Sequence, residues 1–324
     1  MLAYLVRRLL YAIPILIGVN LITFALFFVV NSPDDMARMQ LGVKRVTPEA
    51  IERWKAERGY DKPLFWNAQA AGTDKATNTI LYTKSVRMFA FDFGRADDGR
   101  DIGREISIRM GPSLAVALPV FVLGLFVAIS FALLLVYFRA TYLDTAGVVI
   151  CVAMMSISGL FYIIGGQWLI SKIWHLVPIS GYGGLTAGKF LVLPVIVSVV
   201  GGIGASSRWY RTIFLEEISR DYVRTARAKG LSERVVLFRH VLRNALIPVL
   251  TGVVVVIPAL FMGSLVIESF FGIPGLGSYT IDAINAQDFA VVRSMVFIGS
   301  MLYIVGLLLT DISYTLADPR IRLQ

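Results

Sequence analysis

The chain alternates long uncharged apolar runs with polar segments. Six runs lack Asp, Glu, Lys and Arg over a length that suits a membrane span: Leu9 to Val30, Met110 to Phe138, Thr145 to Ser171, Phe190 to Ser207, Asn244 to Ile267 and Ser294 to Thr310. A helix that crosses about 30 Å of hydrocarbon needs roughly 20 apolar residues. The pattern therefore predicts an all-α polytopic membrane protein with six transmembrane helices.

Composition and charge support this prediction and orient the spans. Hydrophobic residues make up 56% of the 324 residues and charged residues only 16%, whereas a soluble domain carries about a quarter charged residues. Basic residues concentrate at Arg7 and Arg8, between Arg208 and Arg243, and at Arg320 and Arg322. Because short cytoplasmic loops are enriched in Lys and Arg, both termini and the basic loop are predicted to be cytoplasmic.

The spans divide the chain into three segments. Residues 1–30 form an N-terminal segment with the first span, which is too long for a signal peptide and has no small-residue cleavage site after it. Residues 31–109 form a long external loop or subdomain of mixed charge, whose fold the sequence does not predict. Residues 110–324 form a core with the other five spans and a cytoplasmic loop at 216–243.

Nothing in the sequence predicts catalysis, a metal site or a nucleotide site. Cys151 is the single cysteine, and the two histidines are far apart in the chain, so no zinc site is expected. The stretch from Gly183 to Lys189 matches most of a phosphate-binding loop, but Phe190 replaces the Ser or Thr that binds Mg²⁺. We expect no cofactor in this chain and no interaction with nucleic acid.

The loop at 216–243 has the most informative pattern. Ile218, Tyr222 and Ala226 recur every four residues and predict a short helix with one apolar stripe. A basic face on the same helix comprises Arg220, Arg224 and Arg227.

A glycine turn and a second helix are predicted to follow. Gly230 is placed to end the first helix in a left-handed conformation, and Ser232 with Glu233 is placed to begin the next. The second helix is predicted to carry an apolar side with Val235, Phe238 and Leu242, a polar side with Arg239 and Arg243, and to lead into span five. A plain solvated loop that meets lipid headgroups is the alternative.

Several motifs carry a resemblance to a known family. Arg224-Thr-Ala-Arg-Ala-Lys-Gly230 is similar to a coupling-loop signature, Glu-Ala-Ala followed three residues later by Gly, with Arg224, Thr225 and Ala226 in the first three places. Further matches are the Arg pair before span one, Tyr60-Asp-Lys-Pro63, Phe91-Asp-Phe-Gly94, Arg243 to Pro248, Glu268-Ser-Phe-Phe-Gly-Ile-Pro-Gly-Leu-Gly277 and Asp318-Pro-Arg-Ile-Arg322. The chain resembles the inner-membrane permease subunits of ABC importers, of the dipeptide/oligopeptide class.

The resemblance implies a site that couples the membrane helices to ATPases. The implied coupling residues are Glu217, Arg220, Asp221, Tyr222, Arg224, Thr225, Ala226, Arg227, Ala228, Lys229, Gly230 and Leu231. The implied partners are a second homologous permease, two cytoplasmic ABC ATPases that bind ATP and Mg²⁺, an external substrate-binding protein and a short peptide. The implied location is the bacterial inner membrane.

Other functions and lesser sites stay open at this point. An ion-coupled secondary transporter is the main alternative, although mid-span charges that would carry an ion are missing from the six runs. An intramembrane enzyme and a scaffold are two more. Glu268 is either a recognition group for a peptide N-terminus or, as we prefer, a hydrated acid at the membrane interface.

Two further expectations concern charged residues and the external face. Asp311 is expected to pair with Arg208 or Arg211 near the inner ends of spans six and four. The external segment 31–109 and the loop 272–290 are expected to contact the binding protein or to gate the pathway.

Overall fold

The computed structural model describes residues 2–42, 46–184 and 188–317, and these residues are overwhelmingly α-helical. Within those ranges the only β-type pairing is an isolated bridge between Arg95 and Asp101. The all-α prediction is confirmed. The motif from Asp318 to Arg322 and residues 185–187 of the phosphate-loop look-alike lie outside the described residues.

The described residues form fifteen α-helices, some of them extended or separated by π and 3₁₀ turns. They are α1 (Leu2–Ala25), α2 (Pro33–Leu41), α3 (Pro48–Arg58), α4 (Asp74–Thr77), α5 (Ile80–Lys84), α6 (Ile102–Tyr137), α7 (Tyr142–Ser156), α8 (Gly159–Gly166), α9 (Lys189–Ile218), α10 (Asp221–Ala228), α11 (Glu233–Val235), α12 (Leu242–Val256), α13 (Leu265–Phe271), α14 (Leu276–Ala286) and α15 (Phe289–Ala317). π-Helical turns extend three of them, at Leu26–Val30, Gln167–Ile173 and Val236–Val241. Short 3₁₀ helices occupy Val86–Ala90 and Pro258–Met262.

Among the described residues, five helices are long and apolar enough to cross a membrane. They are Val6–Val30, Ile102–Tyr137, Lys189–Ile218, Glu233–Met262 and Phe289–Ser313. The predicted third span is instead a bent pair, Tyr142–Ser156 and Gly159–Ile173, with an angle of 89° between its helices. Ile157 and Ser158 are extended and separate the two helices, so the uncharged run is not one straight helix.

The fifth span has different limits from those predicted. It begins in the loop at Glu233 and ends at Met262 instead of running from Asn244 to Ile267. The 3₁₀ turn at Pro258–Met262 is followed by Gly263, whose φ of +67° stops the helix. Residues 265–271 then form the separate short helix α13, so Glu268 lies outside the span.

Residues 1–109 and 279–308 form one compact unit. Its core is aromatic and includes Phe24 and Phe28 of the first span together with Trp54 and Tyr60. The Tyr60 ring meets the Phe28 ring edge to face at 5.3 Å. Some small helices of this unit start at capping residues. At Ser32 the hydroxyl accepts a hydrogen bond from the Asp35 N–H, and the Asp35 carboxylate accepts one from the Ser32 N–H.

The described residues within 110–278 and 309–323 form a second compact unit. One of its cores joins the ends of α6 and α9 to α10 and α12, with Ala132, Phe214, Val223 and Val241 all buried. A second core joins α6, α8 and α9 to α13. The candidate site lies against the first of these cores.

Candidate functional site

Helix α10 is a separate helix that packs on the core of the second unit. α9 ends at Ile218, and Arg220 is extended with φ −70° and ψ 152° before α10 begins at Asp221. Ile218 and Arg220 therefore do not lie on α10. The predicted stripe is divided between α9 and α10, although Ile218, Tyr222 and Ala226 all pack in or against the same core. The buried residues of α10 are Val223 and Ala226, which lie three apart and share one helix face.

The predicted glycine elbow is present. Gly230 has φ +77°, and its N–H donates to the Arg227 carbonyl at 2.9 Å. No atom lies within 4 Å of the position that a Cβ would take. The requirement for glycine is therefore conformational, because other residues adopt this left-handed backbone at a cost.

The helix after the elbow begins where predicted but buries another face. Ser232 is extended and Glu233 opens the helix, although the Ser232 hydroxyl makes no capping bond. Val236, Leu237 and Val241 are buried, whereas the predicted apolar residue Phe238 is 61% exposed. The π-helical turn at Val236–Val241 explains this, since its wider i→i+5 turn rotates the following residues around the axis.

Glu233 ties the elbow to the end of α6. Its Oε1 accepts hydrogen bonds from Arg139 Nη1 at 2.8 Å and Arg227 Nη2 at 2.9 Å, and its Oε2 accepts one from Arg227 Nε at 3.2 Å. All three side chains are about one-third exposed. The cluster links α10, the helix that follows it, and the residue two positions after α6, so these three elements are expected to move together.

A second polar contact fixes the start of α10. The Tyr222 hydroxyl donates to Glu217 Oε2 at 2.6 Å. Burial, with this bond to a carboxylate, raises the pKa of Tyr222 to about 12. Tyr222 is thus a neutral donor near neutral pH and holds α10 against the last turn of α9.

The ion pair at the inner part of α9 has an unexpected partner. Arg211 binds Asp144 with two bonds, Nε to Oδ1 at 3.0 Å and Nη2 to Oδ2 at 2.8 Å. The sequence predicts an ion pair of Asp311 with Arg208 or Arg211, but the carboxylate that binds Arg211 is Asp144. Asp144, in the first turn of α7, was missed because it lies in a short polar link between two predicted spans.

The exposed surface of the loop at 216–243 carries charged side chains beside a partly apolar groove. Arg220, Arg224 and Asp221 are well exposed, and Arg224 reaches Asp221 only at 3.5 Å. A groove of about 470 Å³ runs beside them, lined by Tyr222, Thr225, Ala226, Lys229, Leu231, Val235, Arg239 and His240. Of the other predicted coupling residues, Ala228 is exposed, while Arg227 and Glu217 are engaged in the bonds described above.

The sequence matches one family over most of its length. Residues 113–323 match the family model for the inner membrane component of binding-protein-dependent transport systems. The chain belongs to this family. Residues 1–70 match the model for the N-terminal part of such membrane components.

Whole-length relatives include three peptide permeases. The chain is 31% identical to the di/tripeptide transport system permease protein DppB of Pseudomonas aeruginosa, with 100% of each chain covered. It is 30% identical to the dipeptide transport system permease protein DppB of Escherichia coli and 28% identical to the oligopeptide transport system permease protein AppB of Bacillus subtilis, with 99% of each chain covered in both cases. The resemblance to ABC peptide importer permeases is confirmed.

Membership in this family settles the class of protein. The chain is a multi-pass transport permease that works with other subunits. The ion-coupled secondary transporter is excluded as an alternative.

The permease also contains an apolar cavity of about 770 Å³ in its second unit. Most of its lining is aliphatic or aromatic, from α6, α8, α9 and α12, and Ser113 and Glu268 lie at its border. Such a cavity has the size of typical small-molecule sites.

Glu268 does not match the expectation of a hydrated acid. It is 1% exposed, and its oxygens accept the Ser264 N–H at 3.2 Å and the Ser278 N–H at 3.1 Å. Burial raises the pKa of Glu268, while these bonds oppose the rise. Glu268 is therefore not a hydrated interfacial acid, and both oxygens are occupied by the protein.

Proposed function

We propose that this chain is the transmembrane permease subunit of an ATP-driven importer for short peptides or peptide-like compounds. It would form half of the translocation pathway beside a second homologous permease. Two cytoplasmic ABC ATPases would bind ATP and Mg²⁺, and an external binding protein would deliver the peptide. The names of the whole-length relatives support the substrate class.

The observation that carries this proposal is the geometry of α10. It is a short helix, separated from α9 by an extended residue and from the next helix by the Gly230 elbow. One face is anchored by Val223 and Ala226, and the exposed side carries Asp221 and Arg224, with Arg220 exposed just before the helix. A partner that grips the exposed face would move the helix as a unit.

The contacts around α10 give a path for that motion. Val223 packs in the same buried cluster as Ala132 of α6 and Phe214 of α9. Burying a valine stabilises by about 1.5–3 kcal/mol, so a displaced α10 carries its neighbours with it. We infer that ATPase closure would reach the spans through this core and through Glu233.

The proposed placement in the membrane follows from charge. We infer that the chain lies in a bacterial inner membrane with both termini in the cytoplasm. Arg7 and Arg8 lie in the first turn of the first span, and the loop at 216–243 is rich in Arg, which supports this placement by the positive-inside rule.

The apolar cavity fits the proposed substrate class. Its lining offers shape and apolar surface with few fixed charges. A surface of this kind accepts varied side chains, because it makes few directional demands. We infer that it contributes to the peptide pathway.

A charge reversal on α10 tests the proposal. Arg220→Glu with Arg224→Glu changes two exposed cations that contact no core residue, and we expect loss of co-purifying ATPases and of ATP-dependent dipeptide uptake into proteoliposomes. Arg234→Glu is the control, because Arg234 is also exposed but lies beyond the Gly230 elbow and takes part in none of the ion pairs described above. Normal ATPase recovery and uptake in the double variant would overturn the proposal.

A further inference from the structure

The first unit contains a cavity in which five of the eleven lining residues are cationic. Its volume is about 220 Å³, and its charged lining residues are Lys62, Lys84, Arg87, Arg95, Arg293 and a single acid, Asp92. Asp92 already pairs with Arg87 at 2.5 Å. Within the described part of the chain, the other four cations have no carboxylate partner within 4.0 Å.

Arg293 is the most constrained of these cations. It is 3% exposed, and its hydrogen bonds go to backbone oxygens, from Nε to the Phe289 carbonyl at 3.2 Å and from Nη1 to the Lys84 carbonyl at 3.5 Å. Its guanidinium also lies over the Phe28 ring at 4.7 Å. A guanidinium has five N–H donors, so donors remain unused on a buried charge.

The nearest acids of the unit are engaged elsewhere. Asp97 accepts from Arg58 Nε at 2.8 Å and from Gln40. Asp288 accepts the Asp97 N–H at 2.7 Å and the Val291 N–H at 3.2 Å. Asp288 still offsets part of the Arg293 charge through space, but neither carboxylate forms an ion pair with a cation of the cavity.

The cations also destabilise one another. Burial, together with the positive charges of Arg293, Lys62 and Arg87, lowers the pKa of Lys84 to about 8. A buried charge without a counter-charge is costly in a protein interior. A bound anion would remove this cost.

We propose that this cavity binds a single oxyanion, a carboxylate or a phosphate group, between Arg293, Lys84 and Lys62. Arg293 supplies fixed N–H donors from the buried side, and a guanidinium fits the oxygens of such groups well. The two lysines supply charge. The site is separate from α10 and requires neither ATP nor a partner subunit.

Two sequence motifs that the coupling function does not use meet at this site. Tyr60-Asp-Lys-Pro63 contributes Lys62, and Phe91-Asp-Phe-Gly94 contributes Asp92, Phe93 and Gly94 to the lining. Gly94 has φ +76° and its N–H donates to Asp92 Oδ1 at 3.3 Å. The turn thereby directs Asp92 towards Arg87 and leaves the remaining cations to the ligand.

The test is ligand-induced stabilisation of the purified full-length chain in detergent. We expect sodium phosphate or sodium acetate to raise the melting temperature above that in sodium chloride at equal ionic strength. Ala-Ala and its C-terminal amide distinguish the sources: a rise with Ala-Ala and not the amide assigns a peptide carboxylate, whereas a rise with phosphate alone assigns free phosphate.

Variants locate the effect. Lys62→Gln, on the partly exposed rim, is expected to weaken the anion about tenfold, as does the loss of one charge-assisted contact. Arg53→Gln is the control, since Arg53 is exposed on α3 and does not line the cavity. Arg293→Gln is expected to abolish the response, and if it does not fold, Lys62→Gln decides. Equal melting in all salts, or an unchanged response in Lys62→Gln, would overturn the proposal.

Discussion

The coupling loop and the cavity of the first unit are both rich in Arg and Lys, yet they use the charge differently. On α10 the cations are exposed, as Arg224 is, or neutralised, as Arg227 is by Glu233. In the cavity Arg293 is buried and its hydrogen bonds go to backbone carbonyls, not to a carboxylate. An exposed cation stays hydrated, so it lowers the stability of the fold little even without a partner. A buried cation loses its hydration and destabilises the fold unless a counter-charge binds it. Burial, more than the number of charges, separates a docking surface from a ligand site.

The largest effect is expected at the elbow, where geometry and not charge holds the loop. Gly230→Val forces a β-branched residue into a left-handed backbone, which costs about 1–3 kcal/mol, and α10 should leave its position. We expect loss of ATPase association and of peptide uptake. Gly230→Asn is the control, because Asn tolerates this conformation, and it should retain most of both activities. Normal uptake by the valine variant would show that the elbow is dispensable.

A smaller effect is expected when the charge cluster of the loop is opened. Glu233→Gln weakens the bonds to Arg139 and Arg227, and because these groups are about one-third exposed, the loss of stability should be about 1 kcal/mol or less. ATPases should still bind, since the exposed face is unchanged, but uptake per ATP hydrolysed should fall. Arg139→Gln alone and the double variant complete a cycle, and strictly additive losses would mean that the two side chains are not coupled.

The smallest effect is a pH dependence that only the buried region should show. The pKa of Lys84 is lowered to about 8 in the folded chain from 10.5, and the charged groups around it are Arg293, Lys62, Arg87, Arg58 and Asp92, with the Tyr60 ring at 5.2 Å. Below pH 8 Lys84 is protonated in both the folded and the unfolded chain, and the buried charge lowers the free energy of unfolding by its full amount. Between pH 8 and about 10.5 only the unfolded state still holds it, so stability from this group should rise with pH.

Melting curves from pH 7 to 10.5, without phosphate or carboxylate buffers, check this. Lys84→Met should lose the rise, while Lys75→Met, which removes a lysine outside the cavity, should keep it. A rise of the same size in Lys84→Met would assign the effect to another group.

The sequence predicted features that depend on neighbouring residues, and it did not predict features that depend on contacts between distant residues. The uncharged runs predicted the helical class, and Gly230 predicted the elbow, because hydropathy and backbone preference are local. The prediction failed where the helix was locally irregular: the break between Ile218 and Asp221 divides one predicted helix into two, and the π-helical turn exposes Phe238.

The cation-lined cavity had no comparable signal. Lys62, Arg95 and Arg293 are distant in sequence and meet only through the tertiary fold. Glu268 was misjudged for the same reason, since its partners include Ser278, ten residues later, across the turn between α13 and α14.

The surroundings of Glu268 also restrict how the gene can change. A Cβ at Gly263 or Gly275 would collide with the carboxylate, and a shorter side chain at 268 would leave the buried Ser278 amide without its acceptor. A single replacement at position 263, 268 or 275 is therefore expected to lower the stability of the protein. Drift at these three codons is expected to be correlated, with a loss at one position tolerated only after a change at another.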